Sequence, residues 1–165
     1  MPTRRMFLGL WMAFAMAIGI VTPAMSGYAG APGGRLAVVV AKTCPLDELS
    51  GYDLKHLFLG EYVNGPGGKK LIPLVPPPNS PDRVGFDKVV LGMSADQAAN
   101  YWIDRKIRGQ SGAPKSIDST DLMLRVVARL DGAVGYVRAS DVTGDVKVLR
   151  IDGKMPGDAG YRVEY

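Results

Sequence analysis

The residues best suited to chemistry lie together at one predicted helix start, in the run Ser80-Pro81-Asp82-Arg83. Ser80 is a favoured N-cap residue, and Pro81 suits the first helical position, where its missing N–H would have no partner anyway. The first turn of a helix presents unpaired N–H groups and partial positive charge, which together attract an anion. Arg83 would add a bidentate donor for a phosphate or carboxylate. We therefore predict an anion site at Ser80 and Arg83, with Asp82 in the same turn.

A simpler interpretation of this run is ordinary helix capping, with Arg83 solvated or ion-paired. Serine followed by proline at a helix start explains these residue types without any ligand. Asp82 supports the simpler interpretation, because its carboxylate would repel a bound anion at short range. Taken alone, the residue types favour capping, and the two interpretations differ in whether Arg83 faces a ligand.

Covalent catalysis and metal binding find little support in the sequence. Cys44 is the only cysteine and His56 the only histidine. No third orienting group, glycine-framed nucleophile or cluster of metal ligands accompanies them, and this pair cannot supply the four ligands of a zinc site. Cys44 follows an apolar run and suits a packing role at a strand end, since free cysteine behaves as a small hydrophobe. We therefore expect neither an enzyme nor a protein that needs a cofactor.

Residues 1–26 have the layout of a secretory signal peptide. Arg4 and Arg5 form a positive start, residues 6–21 are apolar and uncharged, and Ala24-Met25-Ser26 suits cleavage. The apolar run is short for a membrane anchor, which needs about 20 residues. The paired arginines also fit the twin-arginine route, and the general secretory route stays equally open. Either route predicts export.

The exported chain is expected to be one domain with little net charge. Residues 27–34 are expected to form a flexible lead, and residues 35–165 suffice for one hydrophobic core. The whole sequence carries 20 Lys+Arg and 16 Asp+Glu, a net charge of +4. Removing residues 1–26 takes away only two arginines, which leaves 18 basic against 16 acidic residues. A balance this mild does not support a nucleic-acid partner, and we expect a monomer.

Predicted strands and helices alternate along the domain. The run Leu36 to Ala41 is continuously apolar, as in a strand buried on both faces. The run Asp53 to Leu59 has the spacing of one apolar helix face and is closed by Gly60. Further strands are predicted at 71–75, 133–137 and 146–151, and further helices from Ser80, Ser94 and Asp118-Ser119. The alternation predicts an α/β domain with a mixed or largely parallel sheet flanked by helices.

Two of these helices are predicted to bury apolar stripes. The stripe after Ser94 consists of Ala95, Ala98, Ala99, Trp102 and Ile103, and the stripe after Ser119 of Leu122, Met123, Val126, Val127 and Leu130. An aromatic residue at helical spacing usually turns its ring into the core. We therefore expect Trp102 to be a core residue, whose truncation to alanine would cost about 3–5 kcal/mol.

Four segments, taken in order, carry a family resemblance. They are the helix ending in Phe58-Leu59-Gly60, the strand at 71–75, the proline loop leading into Ser80-Pro81, and the run Asp131-Gly132-Ala133-Val134-Gly135-Tyr136-Val137. Together they resemble the phosphate-binding proteins that feed ABC importers, and more closely the short, roughly half-length relatives of that family. The resemblance implies a single periplasmic-binding-protein-like domain in the periplasm, with a small oxyanion as ligand and a membrane importer as partner.

The loop at Ser80 departs from the pattern of that family. Members carry an arginine four residues before the serine, followed by Ser-Gly-Thr at the helix start. Here Ser80 matches the serine, while Pro76, Pro81 and Asp82 stand at the arginine, glycine and threonine positions. Pro81 removes one backbone donor, and Asp82 brings a carboxylate to the positive helix end. Only Ser80 carries over residue for residue, with Arg83 as a local substitute.

Two functions remain open. The first is an exported solute-binding protein that binds phosphate or a similar small oxyanion weakly. The second is an exported interaction module that keeps the binding-protein fold, has lost tight ligand binding and works beside an envelope partner. Ser80 and Arg83 favour the first function, whereas Pro76, Pro81 and Asp82 favour the second. Because function resides in the site rather than in the fold, the resemblance alone does not choose between them.

Export predicts a cleaved protein. Protein recovered from the periplasm should have an intact mass that corresponds to a start near Gly27, because Ala24-Met25-Ser26 precedes it. Changing Arg4 and Arg5 to lysine should block export if the twin-arginine route is used and leave it unchanged otherwise. Full-length protein in the cytoplasm, or held firmly in the membrane, would contradict this prediction.

Overall fold

The computed structural model describes residues 34–61, 63–110 and 112–165. The expected signal peptide at 1–26, and all of the lead at 27–34 except its last residue, lie outside the described residues. Within the described ranges, four α-helices accompany a mixed five-stranded sheet and a separate two-stranded one. The predicted fold class, an α/β domain with a mixed sheet flanked by helices, is confirmed.

Serine side chains define where the helices begin. The strands are β1 (Leu36–Ala41), β2 (Glu48–Leu49), β3 (Ile72–Val75), β4 (Lys115–Ser116), β5 (Ala133–Arg138), β6 (Val146–Val148) and β7 (Arg150–Ile151). The helices are α1 (Gly51–Phe58), α2 (Pro81–Phe86), α3 (Ala95–Ile107) and α4 (Thr120–Arg129). The N-caps are Ser50, Ser80, Ser94 and Ser119, each of which accepts the backbone N–H three residues on. These bonds satisfy donors that have no partner inside the helix, so the helix starts follow from local sequence.

Strand β1 lies inside the main sheet, whose order is β4-β3-β5-β1-β6. It pairs antiparallel with β5 on one side and with β6 on the other, and all six of its residues are buried. Strand β3 pairs parallel with both β4 and β5. The continuous apolar run of β1 therefore reflects a strand covered on both faces, as predicted.

The segment predicted as one strand at 146–151 is two strands in the structure. Strand β6 pairs with β1, whereas β7 pairs parallel with β2 in a separate two-stranded sheet. Leu149 lies between them, fully buried, and its backbone N–H donates to the carbonyl oxygen of Val38 at 2.8 Å. The chain thus crosses from one sheet to the other without losing the burial of its apolar residues.

Helices α1 and α2 cover one face of the main sheet through an aromatic cluster. The ring of Tyr136 on β5 stacks on Phe86 at 3.9 Å with 3° between the planes. Phe58 packs edge-on against both rings, with centroids 4.8 Å from Phe86 and 5.6 Å from Tyr136. Helix α4 covers the opposite face, where Met123 and Val127 pack over Gly135. A side chain at position 135 would collide with both, since its Cβ would lie 2.8 Å from the Met123 sulfur.

The C-terminal segment folds back along the start of β1. The backbone N–H of Leu36 donates to the carbonyl of Val163 at 3.0 Å, and the Tyr161 hydroxyl donates to the carbonyl of Leu36 at 2.9 Å. Val163 and Tyr161 are both buried. These contacts bring the last residue, Tyr165, onto helix α2, where its ring occupies the space next to Gly85.

The prediction that Trp102 is a core residue is wrong. Helix α3 buries only Ala98, while Trp102 is half-buried and Ile103 is 56% exposed. The helix meets the rest of the chain at the end of α1, where the Tyr101 hydroxyl donates to the carbonyl of Leu59 at 2.9 Å. The Trp102 ring lies next to Gly60 and packs edge-on against Tyr101. The apolar residues of α3 therefore share one face, but the rest of the protein covers only a narrow strip of that face.

The face of α4 that is buried in the structure also differs from the predicted one. Met123, Leu124 and Val127 are buried, but Leu122 is 39% and Leu130 38% exposed. Val126 lies between the two exposed leucines along the helix and is half-buried. The sheet covers the Met123 side because Gly135 lets the helix approach closely, so the Leu122–Val126–Leu130 side faces outward.

The burial pattern predicts unequal costs for two aromatic truncations. Phe86→Ala should lower the free energy of unfolding by about 3–5 kcal/mol, because it removes a fully buried ring from the aromatic cluster. Trp102→Ala should lower the free energy of unfolding by less than half of that, because the Trp102 side chain is only half-buried. Urea denaturation of both variants measures the difference, and equal costs would contradict the placement of Trp102.

Candidate anion-binding site

A cavity of about 200 Å³ lies where the loop after β3 and the start of α4 approach the end of β5. Its walls consist of Pro76, Pro77, Ser80, Asp82, Ile117, Asp118, Ser119, Thr120, Met123, Tyr136 and Val137. The structure therefore brings two of the three predicted site residues, Ser80 and Asp82, to one cavity. It also adds residues from far along the sequence that the local pattern did not indicate.

Ser80 is bonded within its own turn. Its hydroxyl donates to the carbonyl of Pro77 at 2.9 Å and accepts the backbone N–H of Arg83 at 3.3 Å. The backbone N–H of Ser80 donates to the same Pro77 carbonyl at 3.0 Å. The predicted N-cap is thus confirmed, and a ligand would have to share or replace these bonds to use the hydroxyl as a donor.

Arg83 does not line the cavity. Its side chain is buried, and its Nε donates to both carboxylate oxygens of Asp87 at 2.9 and 2.7 Å. Burial raises the pKa of Asp87, and the neighbouring Arg83 charge opposes that rise. The pairing engages the Arg83 Nε, so a ligand contact that broke it would leave Asp87 buried and unpaired. Arg83 therefore faces Asp87 in this geometry, and its contact with an anion stays a prediction.

Asp82 is held by two partners outside its own helix. It accepts from the Arg138 Nε at 2.9 and 3.2 Å and from the Tyr165 hydroxyl at 2.6 Å. The hydrogen bond with Asp82 raises the pKa of Arg138. The pKa of Tyr165 is raised to about 12, first by burial and then by its hydrogen bond with Asp82. The carboxylate in the first turn of α2 is therefore neutralised in part by Arg138.

Sequence reasoning missed the contribution of α4 and β5. Ser119 and Thr120 begin a ten-residue helix, and the Ser119 side chain accepts the backbone N–H of Leu122 at 3.2 Å. Tyr136 reaches the cavity from β5, a strand that follows α4 in the chain. The Ser-Thr helix start was visible in the sequence, but its approach to Ser80 depends on the parallel pairing of β3 with β4.

The cavity is rich in hydroxyl groups and acidic rather than basic. Its charged wall residues are Asp82 and Asp118, and among the described residues no lysine or arginine lines it. Hydroxyls of Ser80, Ser119 and Tyr136 can donate or accept hydrogen bonds. This set can hold a small polar group by hydrogen bonds, but it supplies little positive charge to an anion.

A second groove, around His56, lacks the features of a reactive site. Its Nδ1 lies 2.6 Å from a carboxylate oxygen of Glu61, and its ring contacts Tyr52 at 4.0 Å. Within 34–61, 63–110 and 112–165, no three histidine, cysteine or acidic side chains come together as metal ligands. Cys44 is buried, as its packing role predicts. None of the helices described is long and apolar enough to cross a membrane.

The similarity of this chain to known proteins lies in its structure rather than in its sequence. No protein-family model and no curated protein matches the sequence. An ABC-type phosphate transport receptor from Vibrio cholerae matches with a TM-score of 0.65 and 18% identity over 80% of this chain and 54% of that one. A protein of Clostridium perfringens described as a phosphate ABC transporter substrate-binding protein, with bound phosphate, matches with a TM-score of 0.65, 18% identity, and 80% and 53% coverage.

A third match is PstS from Borrelia burgdorferi, with a TM-score of 0.62, 11% identity, and coverage of 80% of this chain and 55% of that chain. The fold is that of the phosphate-binding proteins. The chain spans about half the length of these proteins, which agrees with the predicted half-length relationship. At this level of identity the likeness establishes architecture, and the residues of the cavity must support any statement about ligands.

The buried Arg83–Asp87 pair predicts strongly coupled variants. Arg83→Met and Asp87→Leu should each destabilise the protein by about 3–5 kcal/mol, because each leaves one buried charge without a partner. The double variant should cost much less than the sum of the two. Urea denaturation of the four proteins gives the coupling energy.

The exposed pair Asp121–Arg125 has the same spacing and provides the control. Arg125→Met should cost about 0–1 kcal/mol, as exposed pairs do. An Arg83→Met variant as mild as Arg125→Met would show that Asp87 does not depend on the Arg83 charge and would contradict the strong coupling.

Proposed function

We propose that this chain is an exported solute-binding protein that binds phosphate or a similar small oxyanion weakly in the Ser80 cavity. The observation that carries the proposal is the cavity itself: on a phosphate-binding-protein fold, Ser80 and the start of α4 face one small hydroxyl-lined space. Helix starts present partial positive charge and backbone N–H groups, which favour an oxyanion. A volume of about 200 Å³ suits a ligand of a few heavy atoms.

The affinity should be low because the cavity lacks strong donors. Pro81 has no backbone N–H to offer at the start of α2. The Arg83 guanidinium is bonded to Asp87, and the carboxylates of Asp82 and Asp118 lie in the cavity wall. We expect dissociation constants between about micromolar and millimolar, which correspond to roughly 8 to 4 kcal/mol of binding free energy.

The proposed setting is the periplasm, with a membrane importer or another envelope component as partner. Its support is the signal-peptide layout of residues 1–26, together with the fold shared with proteins named as ABC transport receptors and substrate-binding proteins. The chain spans about half of those proteins, so the partnership is proposed for this chain rather than carried over from them. We propose that it works as a monomer that is neither an enzyme nor a nucleic-acid binder.

The second candidate, an interaction module without tight ligand binding, is favoured by the outer face of α4. Leu122, Val126 and Leu130 form an apolar groove between Arg125 and Arg129. The leucines are 39% and 38% exposed. Surface grooves of this kind mark contact sites in many proteins. This function would leave the Ser80 cavity unused, so ligand binding distinguishes the two candidates.

Replacing Asp82 should tighten oxyanion binding. Asp82→Asn removes a negative charge from the cavity wall and releases the charge of Arg138, while the amide can still accept the Tyr165 hydrogen bond. One charge at a helix end is worth about 0.3–1 kcal/mol, so phosphate affinity should rise about two- to fivefold. Calorimetry of the mature domain with phosphate, sulfate and acetate provides the measurement.

Asp96→Asn is the matched control, because Asp96 lies exposed in the first turn of α3 and outside the cavity. It changes the net charge equally and should leave phosphate affinity unchanged. If neither the wild type nor Asp82→Asn binds phosphate or sulfate at millimolar concentration, the solute-binding proposal fails and the interaction module replaces it.

A further inference from the structure

The Tyr136 hydroxyl is buried without a hydrogen-bond partner. The residue is 0% exposed, and its oxygen makes no hydrogen bond with any of the groups the structure describes. Buried side-chain hydroxyls nearly always have a partner, and a lone one needs an explanation. Other tyrosines follow the rule: Tyr161, also buried, donates to the carbonyl of Leu36 at 2.9 Å, and Tyr165 donates to Asp82 at 2.6 Å.

Packing does not explain the hydroxyl. The Tyr136 ring fills the aromatic cluster by stacking on Phe86 and meeting Phe58 at its edge. A phenylalanine ring would make the same two contacts and would bury no polar atom. The hydroxyl therefore opposes folding where it stands, because it gives up its bonds to water without replacing them inside the protein.

The position of Tyr136 indicates where the missing partner would come from. The residue lines the same cavity as Ser80, Ser119 and Thr120. Burial raises its pKa well above the ordinary value, Arg83 opposes the rise, and Asp87 and Asp82 add to it. The phenol is therefore protonated at neutral pH and can act as a donor. A cavity of about 200 Å³ has room for a small oxyanion.

We propose that Tyr136 is a ligand-binding residue whose hydroxyl donates a hydrogen bond to an oxygen of a small oxyanion in the Ser80 cavity. This inference rests on the proposed function and adds a contact that neither the Ser80 turn nor the start of α4 supplies. A donor buried beneath the cavity compensates in part for the arginine that the turn lacks. It also selects for ligands with an accepting oxygen over purely apolar ones.

The test compares Tyr136→Phe with Tyr161→Phe. Each variant removes a single hydroxyl group from a buried ring. Tyr136→Phe should keep or raise the melting temperature and weaken calorimetric phosphate binding about tenfold or more, as expected for a hydrogen bond to a charged group. Tyr161→Phe should lower the melting temperature, because it breaks the bond to Leu36, and should leave phosphate affinity unchanged.

A second measurement needs no variant of Tyr136. In wild-type protein with carbon-13-labelled tyrosine, saturating phosphate should shift the Cζ resonance of Tyr136 and leave that of Tyr161 in place. Absence of the shift, or equal phosphate affinity in Tyr136→Phe, overturns this inference while the proposed function stands. A melting temperature lowered in Tyr136→Phe as much as in Tyr161→Phe shows an internal partner and also overturns it. Wild-type protein that binds no phosphate overturns the proposed function and this inference together.

Discussion

Two opposite charges, Arg83 in helix α2 and Asp87 just after its end, are buried together, and the chemistry of the neighbouring cavity depends on that pair. A charge taken out of water is tolerated only with a partner, so the Arg83 Nε and the Asp87 carboxylate are committed to each other. Phe86, at the end of α2, joins the helix to the aromatic cluster with Phe58 and Tyr136. What remains for the cavity is a set of hydroxyl groups and two carboxylates, which can orient a small ligand but cannot attract an anion strongly.

The acidic side chain Asp82 in the cavity wall is held by residues that lie far from it in the sequence. Asp82 accepts hydrogen bonds from Arg138 at the end of β5 and from the last residue, Tyr165. Tyr165 reaches it because the C-terminal segment lies along β1 and because Gly85 leaves room for its ring. The sheet, the C-terminal segment and α2 thus meet at one carboxylate, so that the charge facing the cavity is set by tertiary structure rather than by the Ser80 turn alone.

Features set by local physics could be predicted from the sequence, and those set by distant contacts could not. The helix start at Ser80, the capping box at Ser94 and the buried strand β1 follow from neighbouring residues. The four-residue spacing of Arg83 and Asp87 was visible, but its burial depends on how α2 meets the sheet. Trp102 was misplaced because helical spacing shows which residues share a face and not whether another element covers that face.

The same distinction applies to the site, where Ser80 and Asp82 were placed correctly at a helix start and their surroundings were missed. Whether this cavity is where an oxyanion binds is the central claim, and it is most directly tested by the backbone amide resonances of the mature domain during titration with phosphate. The shifts should concentrate at Ser80, Asp82, Thr120 and Tyr136 and should saturate between micromolar and millimolar phosphate. Shifts confined to the groove around His56, or none at millimolar phosphate, would contradict it.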